Sequence, residues 1–202
     1  MNTDEIREIL RADVVAGAKR LLGCTIVWSE GRARIVETEA YRGNDDPGCH
    51  AFGRPLMKNM ALYGPPGTAY IYRSYGIHQM LNVVALPEGQ AGGILIRALR
   101  RFLPDGSPSP DFSSLSLKGP GRLAKTLGID PTANGRDAFD GSASFLIVPG
   151  PPVEEILSGP RIGLSIGKGE STPWRFVTAE DRRWASATPR GLSPIEKTCL
   201  SP

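Results

Sequence analysis

The chain has 202 residues, 40% of them hydrophobic, and carries 24 basic against 21 acidic side chains for a net charge of +3. That is enough apolar material for one buried core and favours a single domain. No apolar run nears the roughly 20 residues that span a bilayer, no basic segment followed by an apolar one opens the chain, and Cys24, Cys49 and Cys199 form no paired framework, so a cytoplasmic, reducing setting is expected.

In chain order, Leu10, Val14, Ala18, Leu21 and Leu22 form a helical stripe closed by Gly23, with Asp13 suited to cap a second segment. Thr25 to Trp28 and Arg34 to Tyr41 read as strands joined at Ser29-Glu30-Gly31. Gly67 to Ala85 reads as a second hairpin with Tyr75-Gly76 at its turn, and Ile94 to Arg101 as a further strand. A helix follows Pro120 and ends at Gly128. Phe145 to Val148, Arg161 to Ile166 and Trp174 to Val177 are the expected late strands. Residues 185–202 are polar and broken by Pro and Gly, and read as a loose tail behind a domain spanning residues 1–184. The class is therefore α+β, with a mainly antiparallel sheet.

The segment R-I-V-E-T-E-A-Y, Arg34 to Tyr41, carries the most chemistry. Strict alternation sets Glu37, Glu39 and Tyr41 in one row behind Ala33 and Ile35, with successive members roughly 6.6 Å apart. Alone, such a row is as readily the solvated face of an edge strand. Arg97, between Leu95 and Leu99, is expected to be buried, and a buried guanidinium needs a carboxylate, here Glu39 or Glu37. Tyr70 and Tyr72 share one face of the hairpin, and His50 ends an acidic loop.

From Pro47 to Pro104 the only acid is Glu88, against Arg54, Lys58, Arg73, Arg97, Arg100 and Arg101, and Lys118, Arg122 and Lys125 follow. Such a stripe suits phosphate contacts, although basic residues also simply solvate outer faces. G-P-G-R-L-A-K-T lacks the Gly-Lys-Ser/Thr ending of a phosphate loop; a helix N-terminus with Arg122 beside it fits a nucleic-acid phosphate better. His50 and His78 lack the spacing of a zinc pair, so no metal and no cofactor are expected. The residues alone leave open a glycoside hydrolase using Glu37 and Glu39 as a carboxylate pair, and a non-catalytic DNA-binding module built on the tyrosine hairpin.

E-T-E-A-Y, His50, Y-I-Y-x-x-Y-G, Asn82, L-I-R-A-L, the G-P-G-R-L near Gly119 and the R-I-G-L at Arg161, in this order from about Leu10 to Val177, resemble the alkyladenine (3-methyladenine) DNA glycosylase family. The resemblance implies a single α+β domain with a curved, mainly antiparallel sheet flanked by helices and a protruding β-hairpin. It implies an enzyme acting on double-stranded DNA that contains damaged purines and hydrolysing the N-glycosidic bond. A monomer is the default expectation, and because Lys58 and Lys118 read as exposed and not desolvated, no strand-nicking Schiff-base chemistry is expected. In that family pattern Glu39 is the general base, and Arg97 with the main-chain carbonyl of Ile162 holds the attacking water. Tyr41 on one side and Tyr72 with His50 on the other enclose the flipped base, and Asn82 crowds the amino group of guanine. Tyr75 fills the vacated stack, Arg54, Lys58, Lys118 and Arg122 lie at the DNA backbone, and Glu37 is structural.

Overall fold

The computed structural model describes residues 2–53, 57–103, 105–109, 117–186 and 191–194; Arg54, an expected phosphate contact, lies outside them. Two helices open the chain. α1 (Thr3–Ala12) starts in a capping box in which Asn2 and Glu5 satisfy each other's amides. Asp13 ends it and caps α2 (Val14–Leu21), its carboxylate accepting the Ala16 N–H at 2.6 Å. Ile6, Leu10, Val14, Ala18 and Leu21 are fully buried. A Cβ at Gly17 would come within 2.8 Å of Leu10, so this glycine sets how closely the two helices approach.

The strands are β1 (Thr25–Trp28), β2 (Gly31–Tyr41), β3 (Ala69–Ser74), β4 (His78–Val84), β5 (Gly93–Arg101), β6 (Phe145–Val148), β7 (Ile156–Gly159), β8 (Arg175–Thr178) and β9 (Ser193–Pro194), with α3 (Pro120–Thr126) between β5 and β6. They form one sheet in the order β3-β4-β5-β2-β8-β7-β9, with β1 joining β2 to β6, and every pairing among the described residues is antiparallel. The α+β expectation holds. No helix among the described residues is long and apolar enough to cross a membrane.

One expected strand is absent. Residues 161–166 form turns, and β8 pairs instead with β2 on one side and on the other with β7, just before them. Gly163 and Gly167, at φ of 82° and 80°, interrupt extended backbone there. The Arg161 side chain is drawn inward at the same point, onto Asp46.

β2 organises the sheet. β5 runs along one edge, and β1 and then β8 share the other. Its register with β5 shifts on either side of Glu37, leaving Val36 on one strand and Arg97 on the other without a partner. Alternation therefore breaks. Ala33 and Ile35 enter the main core under the helices, whereas Val36 joins Ala98 and Trp184 in a separate cluster. The single row expected from the sequence is thus corrected: Ala33 and Ile35 lie on the face opposite Glu37, Glu39 and Tyr41. Leu99 likewise turns into the main core, while Leu95 lines the cleft described below. Without the bulge, both glutamates would point into hydrocarbon.

Candidate active site

A cleft of about 310 Å³ opens between the end of β2, the β3–β4 hairpin, the start of α3 and residues 162–164. Tyr41, His50, Tyr72, Asn82, Arg97 and Ile162, all singled out in the sequence, line it, as does Tyr75 at its edge. Glu39 lies one layer lower. It has no exposed surface, and three of the lining residues hold its carboxylate. Oε2 accepts the Tyr41 hydroxyl at 2.8 Å and Arg97 at 3.1 Å; Oε1 accepts the Ile162 N–H at 2.7 Å. An ionised carboxylate offers about four lone-pair sites, so about one remains open, on Oε1. Burial pushes the Glu39 carboxyl above the usual carboxylate range, and Arg97, the Ile162 amide and the Tyr41 hydroxyl offset only part of that rise.

Glu37 anchors the other end of Arg97. Its Oε1 lies 2.7 Å from Arg175 Nε and 3.6 Å from Arg97 Nε, and its Oε2 accepts the Ser186 N–H at 2.5 Å. The Ser186 hydroxyl in turn accepts from Arg97 Nε at 3.2 Å. Glu37, Arg97 and Arg175 are all buried. Both carboxylates invited by the sequence thus bind Arg97, and Glu37 sits away from the cleft surface. Ala185 and Ser186, on the tail side of the expected boundary, belong to this packing, since Ala185 is itself buried.

A second buried pair braces the opposite wall. Arg161 grips Asp46 through two bonds, at 2.5 and 2.8 Å, and donates to the Ala40 carbonyl at 3.0 Å. Its guanidinium lies 4.7 Å from the centre of the Tyr41 ring, behind the cleft wall. Burial alone would raise the Asp46 carboxyl; the Arg161 hydrogen bonds and charge, together with the Arg42 and Gly48 amides, outweigh it and hold that group below its ordinary range. The next amide along the chain is the one that binds Glu39, so Arg161 fixes where that donor stands.

The aromatic walls are neutral. Tyr70 and Tyr72 stack at 5.6 Å with 28° between their planes, and the His50 ring meets Tyr72 edge-on at 4.4 Å. His50 Nδ1 and the Tyr70 hydroxyl share a hydrogen bond of 3.1 Å. Burial pushes the Tyr72 phenol up to about 12 and raises the Tyr41 and Tyr70 phenols further. Burial, then the Lys58 charge, holds His50 below its ordinary value. Asn82 spends its amide nitrogen on the Tyr70 and Met80 carbonyls, at 3.1 and 3.3 Å. The cleft is therefore a slot between uncharged rings with a buried carboxylate under its floor.

At its edge the β3–β4 hairpin ends in a turn closed by Ile77 N–H to Ser74 C=O, with Tyr75 at φ 49° and Gly76 at φ 73°. A bulky residue in that left-handed region costs about 1–2 kcal/mol. The turn hydrogen bond and the strand pairing it closes offset that cost, but packing of the side chain does not, because Tyr75 is 93% exposed. Tyr75 is not packed back onto its own hairpin.

Of the basic residues, Lys58 and Arg122 are exposed. Lys118 is half-buried, with its ammonium on the Arg183 carbonyl at 2.6 Å. Arg100, another member of the stripe, pairs with Asp181 at 2.6 Å under the Trp184 ring. Sequence reasoning assigned no role to Asp46, Arg161, Arg175 or Ser186. The one available signal was Arg161 itself, an arginine set between Pro160 and Ile162.

A model of the methylpurine-DNA glycosylase (MPG) family matches residues 8–182 of the chain. A protein of Rubrobacter xylanophilus is 42% identical over 86% of this chain and 92% of its own length. One of Chlorobium luteolum is 34% identical over 91% and 97% respectively, and one of Rhodopseudomonas palustris 38% over 86% and 84%. All three carry the provisional name 3-methyladenine DNA glycosylase.

Proposed function

We propose, from the premise that the chain belongs to the methylpurine-DNA glycosylase family and is therefore a DNA glycosylase, a hydrolase of N-glycosyl bonds in base-excision repair, that it extrudes a damaged purine from duplex DNA and hydrolyses its bond with a water activated by Glu39. The observation that carries this reading is the buried carboxylate beneath a slot of neutral aromatic rings, held by three donors with one acceptor site left over. A purine inside a duplex hides its glycosidic bond, so the base must leave the stack first. Electron-poor alkylated purines suit the faces of Tyr41 and Tyr72. Asn82 at the same wall limits the bulk of a base edge.

The open site on Oε1 accepts a hydrogen from one water, and the carboxylate takes its proton as that water attacks C1′. Glu39 has no surface open to solvent in the free protein, so the water reaches Oε1 only as the floor formed by Tyr41, Arg97 and Ile162 parts for the entering nucleotide. Arg97 opposes the cost of burial and brings the raised carboxyl part of the way back towards its ionised form. No lysine lines the cleft among the described residues, and the expected products are the free base and an intact strand bearing an abasic site. The enzyme acts as a monomer.

The pH dependence follows from the raised carboxyl. Below its shifted value Glu39 is protonated and cannot act as a base, so activity is lost as the pH falls through that value. Single-turnover release of 7-methylguanine, already cationic and needing no proton to leave, should drop about tenfold per pH unit on this acid limb, whose midpoint lies above the ordinary carboxylate range. A rate that stays level through that range contradicts Glu39 as the base.

The extrusion step rests on Tyr75. If its exposed ring fills the gap left by the flipped nucleotide, Tyr75→Ser lowers the flipping equilibrium, because unstacking costs a few kcal/mol and the plug offsets part of it. With ethenoadenine in the duplex, the fluorescence change that accompanies unstacking should shrink markedly in Tyr75→Ser. Wild-type amplitude and kinetics in that variant would move the plug to another residue.

A further inference from the structure

Eight large hydrophobic side chains are exposed among the described residues. Six of them, Phe52, Met57, Met60, Tyr75, Ile77 and Ile166, sit on just three segments, and each segment also contributes residues to the cleft wall: Cys49, His50 and Leu62 from the first, Ser74 and Tyr75 from the hairpin tip, Gly163 and Leu164 from the third. Apolar surface gathered around one opening marks an interaction site. The hairpin tip is already accounted for by the plug. The third segment is not.

Residues 162–169 form a loop turned by Gly163, Gly167 and Gly169, all at positive φ, with Ile166 94% exposed between the first two. Its base is rigid. Arg161 is clamped to Asp46 and donates to the Gly169 carbonyl at 3.3 Å, closing the loop across its neck, and the Ile162 amide is fixed on Glu39. The far side rests on the His50 segment: a Cβ at Gly48 would meet the Lys168 carbonyl at 2.9 Å and Leu164 at 3.0 Å, and the Lys168 ammonium lies 5.9 Å from the Phe52 ring. An isoleucine held out on a braced loop, next to an exposed lysine, gains nothing for the free protein.

We infer that Ile166 is a second apolar contact to duplex DNA, packing against sugar and base edges in the minor groove beside the extruded nucleotide while Lys168 meets the adjoining phosphate. This rests on the proposed reading of the cleft. Duplex DNA is the occupant that the surroundings favour. The loop is continuous with the cleft rim that receives the nucleotide, its charged neighbour is a cation, and apolar wedges beside a kinked step are a recurrent device of minor-groove binding. A contact on the loop carrying the Ile162 amide also ties duplex engagement to the position of a Glu39 donor.

The test is anisotropy of a labelled duplex carrying a tetrahydrofuran abasic analogue, with the full chain and its Ile166→Ser, Ile166→Leu and Lys168→Ala variants. Because Ile166 is almost fully exposed, none of its substitutions endangers the fold. Ile166→Ser should weaken binding by about tenfold, the loss expected when one buried aliphatic contact goes, with unchanged thermal stability. Ile166→Leu should stay within about twofold, and Lys168→Ala should lower the salt slope by about one unit. Wild-type affinity in Ile166→Ser overturns the inference, as does a change confined to self-association in sedimentation, which would assign the loop to a second copy of the chain. Failure of the wild type to bind the duplex at all would instead strike the proposed function.

Discussion

Glu39→Gln should fold, bind a lesion-bearing duplex and release base about 10³-fold more slowly than wild type in single turnovers. The amide fits the site in one orientation. With its oxygen in place of Oε2 it still accepts the Tyr41 hydroxyl and Arg97, and only the Ile162 N–H then faces a donor. One lost bond costs about 1–3 kcal/mol, offset in part because a charge no longer has to be buried. What disappears is the capacity to take a proton from water, an interaction made in the transition state and not in the bound ground state. Lesion affinity should therefore stay within a few-fold. Glu37→Gln is the control, since Glu37 lies away from the cleft and binds Arg175 and the Ser186 amide; its effect should fall on stability more than on the chemical step. Substantial single-turnover excision by Glu39→Gln would sink the assignment.

Arg161→Met should be the most destabilising of the changes considered. It leaves Asp46 buried with its bidentate partner gone, and breaking a buried pair from one side costs about 3–5 kcal/mol, a fall in melting temperature of roughly 10 °C for a chain of this size. The loss should extend to chemistry. Arg161 ties the loop to the Ala40 carbonyl and backs the Tyr41 ring, so without it the Ile162 amide drifts from Glu39. Measured where the variant is still folded, the chemical step should slow while duplex affinity changes less. Arg161→Lys, which keeps the charge but not the two-pronged grip, should fall between. A melting temperature within 2 °C of wild type for Arg161→Met would mean that the pair does not brace the wall.

These two residues also mark where the sequence was legible. The Asp13 cap, the Phe145–Val148 strand and the Tyr75-Gly76 turn depend on residues a few positions apart, and each stands where local chemistry placed it. Arg97 followed from a burial argument, because a guanidinium between leucines must find a carboxylate. The register shift at Val36 did not follow, since alternation alone fits either phase and only pairing with β5 decides it. Nor did the Arg161–Asp46 pair, whose partners stand 115 residues apart. Ser186 was hidden for a different reason: a polar, Pro- and Gly-broken stretch carries no periodic signal, yet its first residues close over Glu37.

Hydrolytic release of a damaged purine is tested most directly by incubating the full chain with a duplex carrying a single labelled 3-methyladenine and separating the products before and after alkali. Free 3-methyladenine and an equal amount of alkali-labile abasic strand are expected, with no strand breaks before alkali. Retention of the base in a duplex that the protein nevertheless binds, or breaks appearing without alkali, would contradict it.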